Sequence, residues 1–356
     1  MLRKTAISVI AFSMLMLAGC GSQPASNASN SSAPQGNASA PQESTTNFPT
    51  GTVTGVIQWG AGGALDTMSR KIGPLAEKHL GNSLVLTNKP GATGAIAVQY
   101  VNDKKSDGHN LLFAAENPAL YGVMKISDVD FKDFYPVNIL ARGIATVVVP
   151  GDSKYQTLDD LIKDAQANPG KVKMASTGPG GLPFTVTTML GTVTNTQYNM
   201  VPFDGDGPSL TALLGGHLDA TVLGLPAAIE NAKAGKVRVL SVINDERIDE
   251  LKDVPAVVET LPDMKKYLPW GPFYGVWVKK DTPDDVKKYL VDVFAKAQQD
   301  PDFQDFLSNS GAISVGISGD EAVKYWMDWQ STTAWLLQEA GAAKVSPADL
   351  NIEKKN

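Results

Sequence analysis

Val53-Thr54-Gly55-Val56-Ile57-Gln58-Trp59-Gly60-Ala61-Gly62-Gly63-Ala64-Leu65-Asp66 is the stretch from which the fold can be read. Up to Trp59 it is rich in strand-forming residues, and its middle is a glycine turn. From Leu65 to Leu80 the apolar residues Met68, Ile72, Leu75 and Ala76 recur at helical spacing until Gly81. The pattern predicts a strand, a turn and a helix. It recurs at once: strand Leu84 to Thr87, loop Asn88 to Thr93, a helix to Lys104, the turn Ser106-Asp107-Gly108, and strand Asn110 to Ala115. Such alternation predicts an α/β fold with a mostly parallel sheet flanked by helices.

A second series follows the apolar run Ala145 to Val149. Thr157 to Ala167 reads as a helix with Thr157 as N-cap and Asp160 three residues on, ended by Asn168-Pro169-Gly170. Strands are expected at Lys173 to Ser176, Thr196 to Val201, Leu218 to Leu223 and Arg238 to Ile243. Helices are expected near Pro183 to Leu190, Pro208 to Leu214 and Pro226 to Ala234. A further strand, Tyr274 to Val278, precedes helices from Pro283 to Gln299, Pro301 to Ser310 and Gly319 to Ala340. In the last of these, Tyr325, Trp326, Trp329 and Trp335 are spaced for a packing face rather than a ligand stack. Roughly 300 residues from Phe48 onward exceed what one hydrophobic core usually organises, so two lobes are expected.

The beginning of the chain speaks to compartment. Arg3 and Lys4 precede an apolar stretch from Ile7 to Ala18 that is too short to span a bilayer, and Leu17-Ala18-Gly19-Cys20 follows. This is a lipobox: residues 1–19 are expected to be a lipoprotein signal peptide and Cys20 to carry lipid. Cys20 is the only cysteine, so no internal disulfide can form. Residues 20–47 are mostly Ser, Asn, Ala, Gln, Pro and Gly, with Glu43 their only charge, and cannot offset chain entropy by burial; they read as a disordered tether. Lys and Arg number 31 against 37 Asp and Glu, a formal net charge of −6, and loss of Arg3 and Lys4 with the leader makes the remainder more acidic. An acidic body without a basic stripe argues against nucleic acid.

The glycine loops after the first two strands carry the functional signal. Both lie where a strand ends and a helix begins, the place where open α/β sheets bind ligands. Glycine lets peptide N–H groups approach a ligand closely, and the helix start adds free donors and partial positive charge, which makes an anion grip from backbone. Nucleotide binding is disfavoured: Leu65 stands where the dinucleotide fingerprint needs its last glycine, and neither Gly170-Lys171-Val172 nor Gly235-Lys236-Val237 is a phosphate loop. His79, His109 and His217 show no metal-ligand spacing, there is no Gly-x-Ser-x-Gly elbow, and Asp159-Asp160 and Asp284-Asp285 suit first helical turns. Neither an enzyme, a cofactor nor a metal is expected.

Several ordered motifs resemble one family. Gly62-Gly63-Ala64-Leu65-Asp66 with Arg70, Asn88-Lys89-Pro90-Gly91-Ala92-Thr93-Gly94, and Ser106-Asp107-Gly108-His109-Asn110-Leu111-Leu112 are similar to successive signatures of the tripartite tricarboxylate transporter substrate-binding (Bug-type) proteins. Leu158 to Lys171, Val201-Pro202-Phe203 with Leu213 to Asp219, and Arg247 with Val254 to Glu259 extend the resemblance, which covers about Val53 to Ala340. It implies a periplasmic-binding-protein-like (type II) fold of two lobes with a cleft between them. Residues 48–145 plus 271–356 would form the first lobe and residues 146–270 the second, with hinge crossings near 146–150 and 268–275. It also implies a monomer outside the cytoplasm that binds a small organic acid and serves a permease of one large and one small membrane subunit. A surface sensor that presents a carboxylate to a signalling partner is the alternative.

By motif, the ligand contacts would be Gly62, Gly63, Asp66, Ala92 and Thr93 from the first lobe and Ser176, Thr177, Gly178, Phe203 and Asp204 from the second. Trp59 stands where proline or phenylalanine is usual and would wall the pocket. Gly181, Phe184 and Gly224 depart from the family pattern. Asp204 and Asp206 lie where many members carry Lys or Arg; either they cap the following turn and helix, or a carboxylate there meets an ammonium group on a zwitterionic ligand.

Overall fold

The computed structural model describes residues 47–355. The expected leader, Cys20 and the tether up to residue 46 lie outside the described residues. From there the elements run β1 (Val53–Ile57), α1 (Ala64–Leu80), β2 (Leu84–Asn88), α2 (Ala95–Asn102), β3 (Asn110–Ala115), α3 (Tyr121–Met124), β4 (Phe134–Arg142) and β5 (Ala145–Pro150). The apolar stripe of α1 buries Met68, Ile72, Leu75, Ala76 and Leu80 against Val53 and Ile57 of β1, and the helix ends where Gly81 turns left-handed at φ 72.

The middle of the chain forms α4 (Leu158–Ala167), β6 (Lys173–Ser176), α5 (Leu182–Thr194), β7 (Asn199–Pro202), α6 (Asp206–Leu214), β8 (Thr221–Gly224), α7 (Leu225–Lys233), β9 (Val237–Ile243) and α8 (Val257–Thr260). The chain then returns through β10 (Phe273–Lys279), α9 (Asp284–Gln298), α10 (Pro301–Asn309), β11 (Ile313–Ile317) and α11 (Gly319–Glu339). At the start of α4 the Asp160 amide donates to Thr157 Oγ1 at 3.2 Å and the Thr157 amide donates to Asp160 Oδ2 at 2.9 Å, the reciprocal cap its sequence predicts.

The strands form two layers. The first sheet has six strands in the order β11-β4-β10-β3-β1-β2. In the second, β8-β5-β9 forms a three-stranded sheet and β6-β7 a pair, joined by a bridge between Met174 and Ala220. Both layers are mixed rather than mostly parallel. The βαβ units keep β1 parallel to β2 and β3, and β6 parallel to β7. By contrast β10 enters from the second layer and runs antiparallel to β3 and β4, and β5 runs antiparallel to β8 and β9. A strand's direction depends on where the chain arrives from, which its own hydrophobic run does not encode.

Two strands escape the sequence pattern. β4 is almost wholly buried and contains Pro136, whose missing N–H falls beside a register shift in β10 at Val276/Trp277. β11 is a short edge strand with exposed residues and little alternation.

Backbone passes between the layers at Gly143–Ile144 and at Gly271–Pro272, where the Gly143 amide donates to the Pro272 carbonyl at 2.7 Å. Residues 146–150, expected as hinge, lie inside β5, already paired with β8 and β9. α11 is a third link. Ala322 and Trp326 pack with Phe131, Phe273 and Trp277 in the first core, while Ala334, Leu336 and Leu337 pack with Leu158, Leu161 and Met189 in the second. The aromatic residues of this helix pack, as their spacing suggests: Trp326 is buried and Trp329 lies edge-on to Phe273.

Candidate functional site

The loops at the ends of β1, β2 and β3 face loops at the ends of β6, β7 and β8, and between them lies a cavity of about 30 Å³. Its walls include Trp59, Gly63, Glu116, Asn117, Thr177 and Leu182, and Asp206 and Tyr274 also face it. Three helices start on this wall. α1, α5 and α6 have Gly63, Gly181 and Gly205 as N-caps, and no side chain caps any of them. A fourth, α7, begins beside it at Gly224, also without a side-chain cap. Glycine at each N-cap puts no capping side chain over the first peptide donors and the positive dipole ends, although the Asp206 carboxylate accepts from the Ala64 and Gly224 amides at the starts of α1 and α7.

The first glycine loop is braced from behind. Gly62 N donates to Asp66 Oδ2 at 2.9 Å, Asn88 Nδ2 donates to Asp66 Oδ1 at 2.9 Å and to the Trp59 carbonyl at 2.8 Å, and Arg70 Nε donates to Asp66 Oδ1 at 2.9 Å. Burial pushes the Asp66 carboxyl up, but the Gly62 amide, Asn88 and Arg70 outweigh it and hold the group below its ordinary range. Asp66 therefore shapes the loop. Asp66→Asn is expected to lower stability by about 1–2 kcal/mol, read by urea denaturation, because charge-assisted bonds are lost in a half-buried network.

The second loop turns through four successive residues at positive φ, from Gly91 to Gly94. It is pinned by Tyr121, whose hydroxyl donates to the Thr93 carbonyl at 2.9 Å, and by Gln58, whose Nε2 donates to the Tyr121 hydroxyl at 3.1 Å. Thr93 is buried and its side chain packs against Gly178, where a Cβ would collide with Thr93 Oγ1. Ala92 lines a different recess, with Ile96, Gln99 and Tyr100.

Across the cleft, Ser176 Oγ accepts from the Gly178 amide at 3.2 Å, and the Ser176 carbonyl accepts from the Phe203 amide at 2.8 Å. Phe203 packs half-buried on the second core. The Asp204 side chain is exposed; its carbonyl accepts from Gly60 N at 3.0 Å and so ties the two layers together. Thus Trp59, Gly63 and Thr177 reach the cavity wall, whereas Gly62, Asp66, Thr93, Ser176, Gly178, Phe203 and Asp204 hold the loops around it.

Asp206 does not cap α6, as one reading of the sequence has it. It occupies the first helical position, and its Oδ2 accepts from Gly224 N at 3.2 Å while the Ala64 amide also donates to the carboxylate. Burial raises this carboxyl to about 6 against those two bonds. Gly224 is required here, since a Cβ would stand 2.5 Å from the Tyr274 hydroxyl and 2.9 Å from Ala64 Cβ.

Glu116, Asn117 and Tyr274 are cavity residues that sequence reasoning missed. Glu116 is 2 % exposed, and burial, with the Asp206 charge beside it, raises its carboxyl to about 8. Asn117 Oδ1 accepts from Trp59 Nε1 at 3.2 Å and its Nδ2 donates to the Gly180 carbonyl at 3.0 Å, a second tie between layers. Applying the strand-end rule to β3 as well as to β1 and β2 would have found the first two; nothing in the sequence marks Tyr274.

Two α/β halves joined by crossing segments, with a cavity walled by helix starts from both, define a solute-binding protein of the periplasmic type. A model of the "Tripartite tricarboxylate transporter family receptor" matches residues 68–341. The UPF0065 protein in the tcbD-tcbE intergenic region of Pseudomonas sp. (strain P51) is 30% identical over 273 residues, 76% of this chain and 80% of that protein. Protein BugT of Bordetella pertussis is 26% identical over 300 residues, 83% of this chain and 91% of its own. MatC from Rhodopseudomonas palustris, solved with bound malate, superposes with a TM-score of 0.74 at 25% identity, covering 82% of this chain and 100% of that one. The chain belongs to the tripartite tricarboxylate transporter family receptors, a family of extracytoplasmic substrate-binding receptors rather than of enzymes. Among the described residues no helix is long and apolar enough to cross a membrane.

Proposed function

We propose that this chain is a lipid-anchored receptor that captures a small carboxylate in the cleft and delivers it to a tripartite tricarboxylate-type membrane transporter. The observation that carries the reading is the convergence of three glycine-capped helix starts on one cavity. Such starts favour negative charge. The malate held by MatC supports the same ligand chemistry. Trp59, Gly63, Asn117, Thr177, Leu182 and Tyr274 are the proposed contacts.

A cavity of about 30 Å³ holds roughly two waters, so an organic acid enters only when the halves part. The lobes would be residues 48–143 with 272–356, and 144–271, swinging about Gly143–Ile144 and Gly271–Pro272. Ligand favours the closed form by its higher affinity for that form, and closure would create the surface a permease recognises. A thermal-shift screen of dicarboxylates, tricarboxylates and amino acids on the purified chain tests this. Saturation at a hundred times Kd adds about 2.7 kcal/mol and raises the melting point. If no acid responds at millimolar concentration, the reading is wrong.

Anchoring rests on Cys20. Cys20→Ser is expected to move the protein from the membrane fraction to the soluble fraction of fractionated cells. Retention of the variant on membranes would remove the lipid from the account.

A further inference from the structure

Carboxylates in a cleft built for an anion call for an explanation. Asp206 already occupies donors at the starts of α1 and α7, through the Ala64 and Gly224 amides. Glu116 faces the same cavity from the other layer, nine-tenths buried and more, and its Oε2 has no hydrogen-bond partner among the described residues. The Tyr274 hydroxyl, equally buried, also lacks a partner there. Among the described residues no Lys, Arg or His lines this cavity. Two acids and a hydroxyl acceptor thus surround a space with no positive group of the protein's own, and unpaired buried acceptors of this kind are costly to keep.

We propose that the solute carries an ammonium group besides its carboxylate, and that Glu116, Asp206 and the Tyr274 hydroxyl receive the ammonium. The carboxylate lies toward the start of α5 at Leu182, a helix start on the wall where, among the described residues, no protein carboxylate accepts a hydrogen bond. An ammonium has three donors, matched by the three acceptors on offer. The solute is then an amino acid or a related amino-carboxylate rather than a simple dicarboxylate. This inference rests on the receptor reading above and narrows its substrate class.

Matched acids separate the two. Calorimetric titration of the full chain in detergent at pH 7.5 would compare L-aspartate with succinate, L-glutamate with glutarate, and γ-aminobutyrate with butyrate. At least one amino member is expected to bind tenfold or more tightly than its partner. Glu116→Gln should cost that amino acid about tenfold or more and leave the partner unchanged or tighter. Tyr274→Phe, which removes only the hydroxyl, should shift affinity in the same direction and guards against a folding defect in the first variant. Acids that bind without any amino member exceeding its partner tenfold overturn the inference while leaving the receptor reading intact, and so does Glu116→Gln weakening both members of the preferred pair equally. If none of the six binds, the receptor reading itself fails for acids of this size and the inference falls with it.

Discussion

Gly207→Ala is expected to hold the two layers apart and to cut ligand affinity about a hundredfold or more, an effect near 3 kcal/mol, without unfolding the protein. Gly207 sits in the first turn of α6 with ordinary helical backbone, so alanine is locally favourable there by about 1 kcal/mol. The obstacle is across the cleft. A Cβ on Gly207 would fall on the Ala61 carbonyl oxygen, 3.0 Å from its carbon and 3.2 Å from the Gly62 carbonyl carbon. Backbone on both sides leaves nothing flexible to yield, and the only relief is separation of the loops. The closed state alone is penalised, and affinity falls by the population it loses. Small-angle scattering should report a more open particle and the thermal-shift response to ligand should vanish, while the ligand-free melting point stays level or rises. Gly51→Ala, where a Cβ meets nothing within 4 Å, is the control. Retention of wild-type affinity in Gly207→Ala would show that the loops of residues 60–63 and 205–207 need not meet for binding.

The ligand-free protein is also expected to close more readily at acid than at alkaline pH. Glu116 has its carboxyl raised from 4.5 to about 8 in the closed cleft, by burial first and then by the Asp206 charge; the Tyr274 hydroxyl faces the same space. A carboxyl raised in the closed form binds a proton there that it gives up in water. Closure is therefore fully supported below about 4.5, weakens as pH rises, and has lost this support above about 8. The difference amounts to at most about 5 kcal/mol, at roughly 1.4 kcal/mol per unit. Asp206, raised from 3.8 to about 6, acts in the same direction, and the two titrate as a pair whose contributions do not add. Interlobe fluorescence transfer measured from pH 5 to 9 should fall with rising pH in the wild type and be much flatter in Glu116→Gln. A rise with pH, or an identical profile in the variant, would contradict the assignment. An ammonium-bearing solute would take the proton's place and make closure less dependent on pH.

Local patterns and tertiary geometry divide the explanation unevenly. The strand–turn–helix of residues 53–80, the Thr157–Asp160 cap, the packing face of α11 and the place of the glycine loops at strand ends were all legible in the chain. Each depends on residues within one or two turns of each other, where propensity and periodicity act directly. The family was legible too, because its motifs recur in order. The antiparallel course of β10 and β5 was not, nor was β4 with its proline.

The site shows the same division more sharply. The sequence by itself determined that helix starts with free donors would gather at the ends of the strands, since glycine there exposes peptide N–H groups whatever the rest of the fold does. Only the tertiary structure decided which groups meet in the cavity: it turned Gly62 N toward Asp66, brought Asp206 onto donors from α1 and α7, and set Glu116 and Tyr274 together although 158 residues separate them. Charge and desolvation act through space, so the properties of such groups emerge only when distant segments close around them.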